Sequence, residues 1–451
     1  MRSSVKKRES KGAFLKGAVW IAAGGFTAKV IGALYRIPLT NLIGGKGLGL
    51  YQLVYPVYCL LLTVSATGIP SSIAKLTAER IAQGKDGRAV FKTAMKLFVL
   101  IGLVGTLFMA IVAPFLAKAQ GSEEVLWGYY TLAPSVLLVS AISVYRGWFQ
   151  GCNRMFPTAL SEVVEQVVKV GVGVGFAYLF RDNIPKAVIF LLLAVSLSEL
   201  VTLLLMSGLY RRARKRVKMQ NGGGRVEMKS VLRLSIPVTF SAMLLPLSGL
   251  LDSVLAPRLL GAYATDAVTL FGLFAGGAVT VINLPVSVCY GLAAASVPRV
   301  AMAVEKKGKN VSPRKRIFFS LAITALVGGL SAVGLYLFAE PATKIIFRSL
   351  AGAELDTLIQ LIKAFAVSAF TLSCVQTLSA CLTAQGKPQY AALSMMIAVL
   401  VKTGLYVFWL RDPAVSVFGL VYATNIAYAV AFLLDLLYNV YITRRKRTAK
   451  E

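Results

Sequence analysis

Apolar runs long enough to cross a lipid bilayer follow one another along almost the whole chain. An α-helix rises 1.5 Å per residue and the hydrocarbon is about 30 Å thick, so a span needs roughly 20 residues. Runs of that kind cover 17–39, 50–70, 90–116, 125–146, 158–180, 186–210, 232–256, 268–296, 317–339, 358–383, 389–410 and 415–442. In hydrocarbon every backbone N–H and C=O must be paired inside the protein, which leaves helices or a closed barrel. The alternating ten-residue strands of a barrel are missing from the pattern. The expected fold is an all-α integral membrane protein of about 12 transmembrane helices, with no stretch long enough for a separate soluble domain. A hydrophobic content of 57% over 451 residues suits that reading.

Charge orients the helices. Lys and Arg number 49 against 19 Asp and Glu, a net charge of +30. Such a balance can signal nucleic acid, but the cations are not spread as a nucleic-acid surface needs. The densest clusters, Arg211 to Arg233, Arg299 to Arg316 and Arg444 to Lys450, all fall on one side of the expected spans. This is the positive-inside bias, and it predicts both termini in the cytoplasm and no nucleic-acid partner. The same loops would attract anionic lipid headgroups. Lys6-Lys7-Arg8 before an apolar stretch has the look of a signal peptide. The stretch runs on through Lys29 and Arg36 without a small-residue cleavage site, so it is expected to stay as the first span.

Part of the sequence occurs twice. Ala159-Leu160-Ser161, Val168-Lys169, Gly171 and Val174 return 233 positions later as Ala392-Leu393-Ser394, Val401-Lys402, Gly404 and Val407. A weaker echo pairs Ile69-Pro70, Ala74 and Glu79 with Val297-Pro298, Ala301 and Glu305. The basic stretch 211–230, with Gly222-Gly223-Gly224, separates the halves. The expected organisation is a six-helix bundle over 1–210, a linker over 211–230, a second bundle over 231–442 and a basic tail over 443–451. Six is even, so the two bundles enter the membrane from the same side and repeat in parallel. In transporters built this way the site lies at the seam between the repeats.

Charges within spans cost about 2.5–3.5 kcal/mol each on insertion scales, so each needs a reason. Gly25, Lys29, Gly32 and Arg36 share one face of the first helix, a stripe of small and cationic residues. Such a stripe can line a wet cavity and meet a phosphate, Arg through its fork and Lys as a point charge. Alternatively, Arg36, close to Pro38, reaches out to the interface. In the fifth span Glu162, Glu165 and Lys169 share a face, with Glu165 and Lys169 in the favourable i, i+4 order. They form either an ion pair that holds packing or a gate that opens during transport. Asp252, Glu199 and Asp435 are isolated acids, each able to bind a coupling ion or to pair with Lys363, Lys402 or Lys29. Asn283-Leu284-Pro285 predicts a break in the eighth span, where freed carbonyls could face substrate.

Other chemistry is excluded or unsupported. There is no histidine, so His-based acid–base catalysis and His metal sites are absent. The five cysteines lack metal-ligand spacing, and no Walker motif occurs. No catalytic residue, metal or bound cofactor is expected.

Several segments resemble the stage V sporulation protein B family of polysaccharide flippases. They are Tyr35-Arg36-Ile37-Pro38-Leu39, Gly49-Leu50-Tyr51-Gln52, Gly68-Ile69-Pro70, Tyr145-Arg146-Gly147-Trp148-Phe149-Gln150-Gly151 and Met155-Phe156-Pro157-Thr158-Ala159. That family belongs to the multidrug/oligosaccharidyl-lipid/polysaccharide superfamily, which also holds the lipid II flippases. The resemblance implies a V-shaped pair of six-helix bundles with alternating access, in a bacterial cytoplasmic membrane. It implies an undecaprenyl-linked sugar precursor as substrate and places Lys29 and Arg36 at the diphosphate. The flippases' further cavity arginines have no counterpart here, where Leu61-Leu62 and Thr280 to Asn283 stand. The chain also shows 12 expected spans where the lipid II flippases have 14.

The expected activity is export of an undecaprenyl-pyrophosphate-linked oligosaccharide or peptidoglycan precursor by a monomer. Lys29, Arg36 and Asn283 would contact substrate, and Glu162, Glu165, Lys169 and Asp252 would serve as gate or ion-coupling residues. Protons, sodium ions or the membrane potential could drive the cycle. The alternative is an ion-coupled multidrug or cation antiporter of the same superfamily, which would present acids to its cavity. A membrane-embedded glycosyltransferase is a third class, but no sizeable loop carries paired acids.

Overall fold

The computed structural model describes residues 2–85, 87–216, 242–305 and 313–448, with the single positions 231 and 239. For residues 2–19, 21, 22, 29, 33, 67, 215, 216, 290, 292, 294–299, 301–305, 313 and 445–448 it describes the backbone and not the side chains. The basic linker over 217–230 and the start of the seventh expected span, 232–238, lie outside the described residues. The described elements are helical throughout, in two compact units: residues 1–43 with 53–247, and residues 44–52 with 248–451.

In the first unit the helices are α1 (Arg2–Leu62), α2 (Ile69–Ala82), α3 (Arg88–Ala119), α4 (Leu126–Leu132), α5 (Pro134–Gly151), α6 (Phe156–Leu179) and α7 (Ile184–Arg216). Proline opens four of them: Pro70, Pro134, Pro157 and Pro185 sit in first turns, where the missing N–H has no partner to lose. Glycine sets how closely α5 meets α2. A Cβ at Gly147 would lie 2.8 Å from Ile73 Cβ and 2.9 Å from Pro70 Cα; at Gly151 it would lie 2.6 Å from Thr77 Cβ. The two glycines, four residues apart, form the small-residue face that lets membrane helices touch along their backbones. Aromatic rings lock α3, α5 and α7 together. Phe91 stacks on Tyr210 with centroids 4.2 Å apart, and Trp148 meets Tyr210 edge-on at 4.8 Å.

The second unit contains α8 (Leu244–Leu260), α9 (Ala267–Gly272), α10 (Val279–Glu305), α11 (Pro313–Leu337), α12 (Ala339–Ile346), α13 (Gly352–Phe365), α14 (Val367–Ala384), α15 (Pro388–Trp409) and α16 (Phe418–Thr448). The segment Gly44–Gln52, though part of α1, packs within it. Gly44 departs from helical geometry with φ 62°, a conformation that glycine adopts without steric cost. Beyond it, Gly45 and Gly49 face Gly272 at backbone contact.

Two π-helical turns interrupt the helices, at Thr63–Thr67 and Leu273–Ala278. Such wide turns loosen the carbonyl ladder, and side chains tie the loose ends. Thr63 Oγ1 donates to Cys59 O at 2.8 Å, and Gln52 Nε2 donates to Ala275 O at 3.0 Å. The irregularity expected at Asn283-Leu284-Pro285 is therefore displaced. The chain is wide at Leu273–Ala278, and α10 runs unbroken through Pro285. Gly276 and Gly277 permit the wide turn by packing directly on Leu48 and Leu358, where a Cβ would not fit.

The surface shows what solvent the helices were built for. On α3, Leu100, Leu103, Val104, Leu107, Phe108, Ile111 and Phe115 are exposed, while Val90, Ala94, Phe98, Met109 and Ala113 are buried. The exposed set recurs every three or four residues and forms a continuous apolar stripe, which hydrocarbon solvates and water does not. On α11, Phe318, Phe319, Leu326, Leu330, Val333 and Leu337 repeat the arrangement. Among the described residues, nine stretches are long and apolar enough to cross a membrane. One of them, Ala23–Ala82, covers the first and second expected spans together. The helix α6 has spanning length but carries Glu162, Glu165 and Lys169 in its middle.

Candidate functional site

The first unit buries a cluster of charges around α6. Pro157 starts that helix, and 3.6-residue periodicity then places Ser161, Glu165 and Lys169 along one face. Arg146 of α5 reaches this face with its fork. Its Nη2 lies 2.9 Å from Glu165 Oε2, and its Nε donates to Ser161 Oγ at 2.9 Å. Ser161 passes its own proton to Thr158 O at 2.7 Å. Both charged side chains are mostly buried, at 16% and 21% exposure. The guanidinium makes one charge-assisted bond to each of Glu165 and Ser161, strengthened by the low local dielectric. The partner of Glu165 is therefore Arg146, not Lys169 as its i, i+4 spacing had suggested. A planar fork bridging two helices satisfies Glu165 and Ser161 at once, which an ammonium one turn away cannot.

Lys169 makes no ion pair or hydrogen bond among the described residues. It stands within electrostatic reach of Glu165, Glu199, Arg36 and Cys59. Glu199, on α7, is 2% exposed. One of its oxygens accepts a hydrogen bond from the Tyr58 hydroxyl, and Oε2 has no partner among the described residues. Arg36 is half-buried and acts electrostatically on Tyr55, Cys59 and Lys169. It thus joins this group inside the first unit. Three cations, Arg36, Arg146 and Lys169, share this unit with three acids, Glu162, Glu165 and Glu199.

The small-and-cationic stripe of α1 meets the same helix. A Cβ at Gly24 would lie 2.6 Å from Ala159 Cβ, one at Gly25 3.6 Å from Glu162 Oε2, and one at Gly32 3.3 Å from Gln166 Oε1. The stripe is thus apposed to the polar face of α6, with Glu162 half-buried beside it. The side chain of Lys29, between those glycines, lies outside the described residues. Asn283 is exposed on α10, where its carbonyl accepts the Ser287 hydroxyl at 2.8 Å.

The second unit carries the repeat-equivalent lysine in a different setting. Lys402 Nζ lies 2.7 and 2.8 Å from the two oxygens of Asp252 and donates to Ser248 Oγ at 2.5 Å. The Tyr406 ring stands 5.5 Å away as a cation–π partner. Two of its N–H groups donate, to Asp252 Oδ2 and Ser248 Oγ, while Asp252 Oδ1 is an ionic contact without a hydrogen bond. The lysines aligned by the sequence echo thus differ: Lys402 sits in a mostly buried ion pair, and Lys169 has no direct partner among the described residues. Among the described residues, no three of Cys, Asp and Glu converge as a metal cage would need.

Lipid-solvated helices, two compact units and buried charge inside each define a multi-pass cell-membrane transporter. Comparison with known proteins agrees. Stage V sporulation protein B of Bacillus subtilis (strain 168) is 27% identical over 422 residues, 91% of this chain and 80% of that protein. Lipid II flippase MurJ of the same organism is 28% identical over 167 residues, 35% of this chain and 31% of that protein. An inward-facing multidrug resistance MATE family transporter of the MOP superfamily shares the fold, with a TM-score of 0.79 at 17% identity over 93% of this chain and 96% of that one. Residues 14–304 match the family described as polysaccharide biosynthesis protein, and the chain belongs to that family. The relatives are flippases and transporters rather than enzymes.

Arg146 is the functional candidate that spacing alone did not single out. Its signal was present in the Tyr145-Arg146-Gly147 motif: an arginine placed beside a glycine that brings two helices into backbone contact.

Proposed function

We propose that this chain exports an undecaprenyl-pyrophosphate-linked oligosaccharide or peptidoglycan precursor across the cytoplasmic membrane by alternating access. The observation that carries the reading is Lys169 of the first unit, which has no direct counter-ion among the described residues and stands within electrostatic reach of Arg36. A half-buried ammonium in that position attracts an anion, and a pyrophosphate supplies one with many acceptor oxygens. Lys29 would extend the same stripe. No bond to the sugar is made or broken. The barrier removed is the cost of taking a charged, sugar-bearing head through hydrocarbon while the polyprenyl tail stays in lipid.

A second reading, a cation-coupled multidrug antiporter, draws on the MATE-type fold and on the unpartnered oxygen of Glu199. The two separate in one experiment. The full-length protein is reconstituted in vesicles with labelled polyprenyl-pyrophosphate sugars, and headgroup accessibility is measured from each leaflet. Protein-dependent translocation that is lost in Arg36→Glu at unchanged protein level supports the flippase. Drug efflux without lipid translocation, or full translocation by Arg36→Glu, would refute it.

A further inference from the structure

Asp435 lies on α16, fully buried in the second unit, and the transport reading above gives it no task. Ser379 of α14 donates to its Oδ2 at 2.5 Å. Its Oδ1 has no hydrogen-bond partner among the described residues. The Ser394 hydroxyl of α15 lies close by but donates to Tyr390 O at 3.0 Å. The surroundings are apolar. Val300 of α10, Ile317 and Leu321 of α11 and Cys381 of α14 pack with Phe432 and Leu436 on either side of it. Tyr390 of α15 packs against Tyr438 of α16, with centroids 4.8 Å apart and the rings tilted by 48°. Among the described residues no lysine, arginine or second carboxylate pairs with Asp435. Glu199 in the first unit shares the arrangement of one bonded and one free oxygen, yet has Arg146 and Lys169 in electrostatic reach. Among the described residues Asp435 lacks that compensation, and an ionised carboxylate so placed is costly.

The neighbouring hydrogen bonds are short of donors. Both amide protons of Asn439 are spent, on Asp435 O at 2.8 Å and Leu378 O at 3.1 Å. Those of Gln385 go to Asn439 Oδ1 at 2.8 Å and Cys381 O at 3.3 Å. Two acceptors, Gln385 Oε1 and Asp435 Oδ1, remain unserved among the described residues. A proton on Asp435 removes its charge and supplies a donor to this cluster. A polar file also leads toward it. Asp435, Asn439 and Thr443 fall one turn apart on one face of α16, and Thr443 Oγ1 bonds Asn439 O at 2.7 Å. That face runs to the basic end of the helix at Arg444, expected at the cytoplasmic surface.

We propose that Asp435 is a proton-binding site of the second unit, loaded along the Asn439–Thr443 face, and that its protonation couples the proton gradient to transport. The coupling part rests on the transport reading above; proton binding itself does not.

The test uses full-length protein in vesicles, with the membrane potential clamped and a pH gradient imposed. One unit of gradient is worth a factor of ten in driving force, and translocation by the unchanged protein is expected to respond by up to about tenfold. Asp435→Asn is expected to translocate at the same rate with and without the gradient. Ser379→Ala removes the bond to the ionised form, so the midpoint of the pH response should move up by about one unit. A gradient response that persists in Asp435→Asn, or transport driven by a sodium gradient at constant pH and lost in Asp435→Asn, overturns the proposal. Should Asp435→Asn fail to accumulate, Ser379→Ala decides: an unmoved midpoint overturns it. Proton release on a pH jump, read with an indicator dye on purified protein, needs no substrate. Release that shifts in Ser379→Ala alongside absent lipid translocation would sink the flippase and keep the proton site.

Discussion

The buried pair between Lys402 and Asp252 offers the sharpest energetic test. Its side chains are 7% and 17% exposed, and the ammonium touches both carboxylate oxygens and Ser248. Removing one partner of such a pair leaves a charge stranded, at a cost of about 3–5 kcal/mol. Lys402→Met keeps the length of the side chain and strands Asp252. Asp252→Asn retains one amide oxygen for the lysine and Ser248 as a second acceptor, so its cost should fall near 3 kcal/mol or slightly below. Removing both charges, as Lys402→Met with Asp252→Leu, should return stability to within about 1 kcal/mol of the starting protein. The predicted coupling is then at least 2 kcal/mol, far above the scatter of additive mutations. Denaturant unfolding in a fixed detergent would measure the four corners of the cycle. Single substitutions costing under 1 kcal/mol, or effects that simply add, would refute the view that this pair is a closed, desolvated unit.

Two glycines should respond in opposite directions. Gly147→Ala places a methyl within 2.9 Å of Pro70 backbone and is expected to destabilise by about 1–3 kcal/mol, measured as a lowered unfolding midpoint. Gly404→Ala, with open space around it in mid-helix, should stabilise by up to about 1 kcal/mol in the same assay. Arg146→Lys keeps the charge but cannot hold Glu165 and Ser161 together; translocation should fall about tenfold, as the loss of one charge-assisted bond implies, while the unfolding midpoint moves little. Unchanged translocation would make Arg146 a packing residue.

Much of the helical outline could be read from the chain because its causes are local. Apolar runs of spanning length, proline in first turns and a three-to-four-residue spacing of exposed leucines and phenylalanines act within one helix. Lys169 and Lys402, which the sequence echo aligns, each lie on a helix with proline in its first turn. The helix break was misplaced because proline marks where a helix can bend, while the bend forms where neighbours leave room. At Leu273–Ala278 two glycines against Leu48 and Leu358 provide that room; at Pro285 the helix simply tolerates the ring.

The sequence by itself determined that the chain lives in a membrane and which charges share a helix face. Tertiary structure decided which charge meets which. Glu165 is claimed by Arg146 from the preceding helix, Asp252 by Lys402 from 150 residues away, and Asp435 by a serine. Periodicity orders side chains along one helix axis and says nothing of the helix opposite. The partner of a buried charge is set by whatever packing delivers at hydrogen-bond distance, and so two lysines alike in sequence became, in the folded protein, one closed ion pair and one open cation.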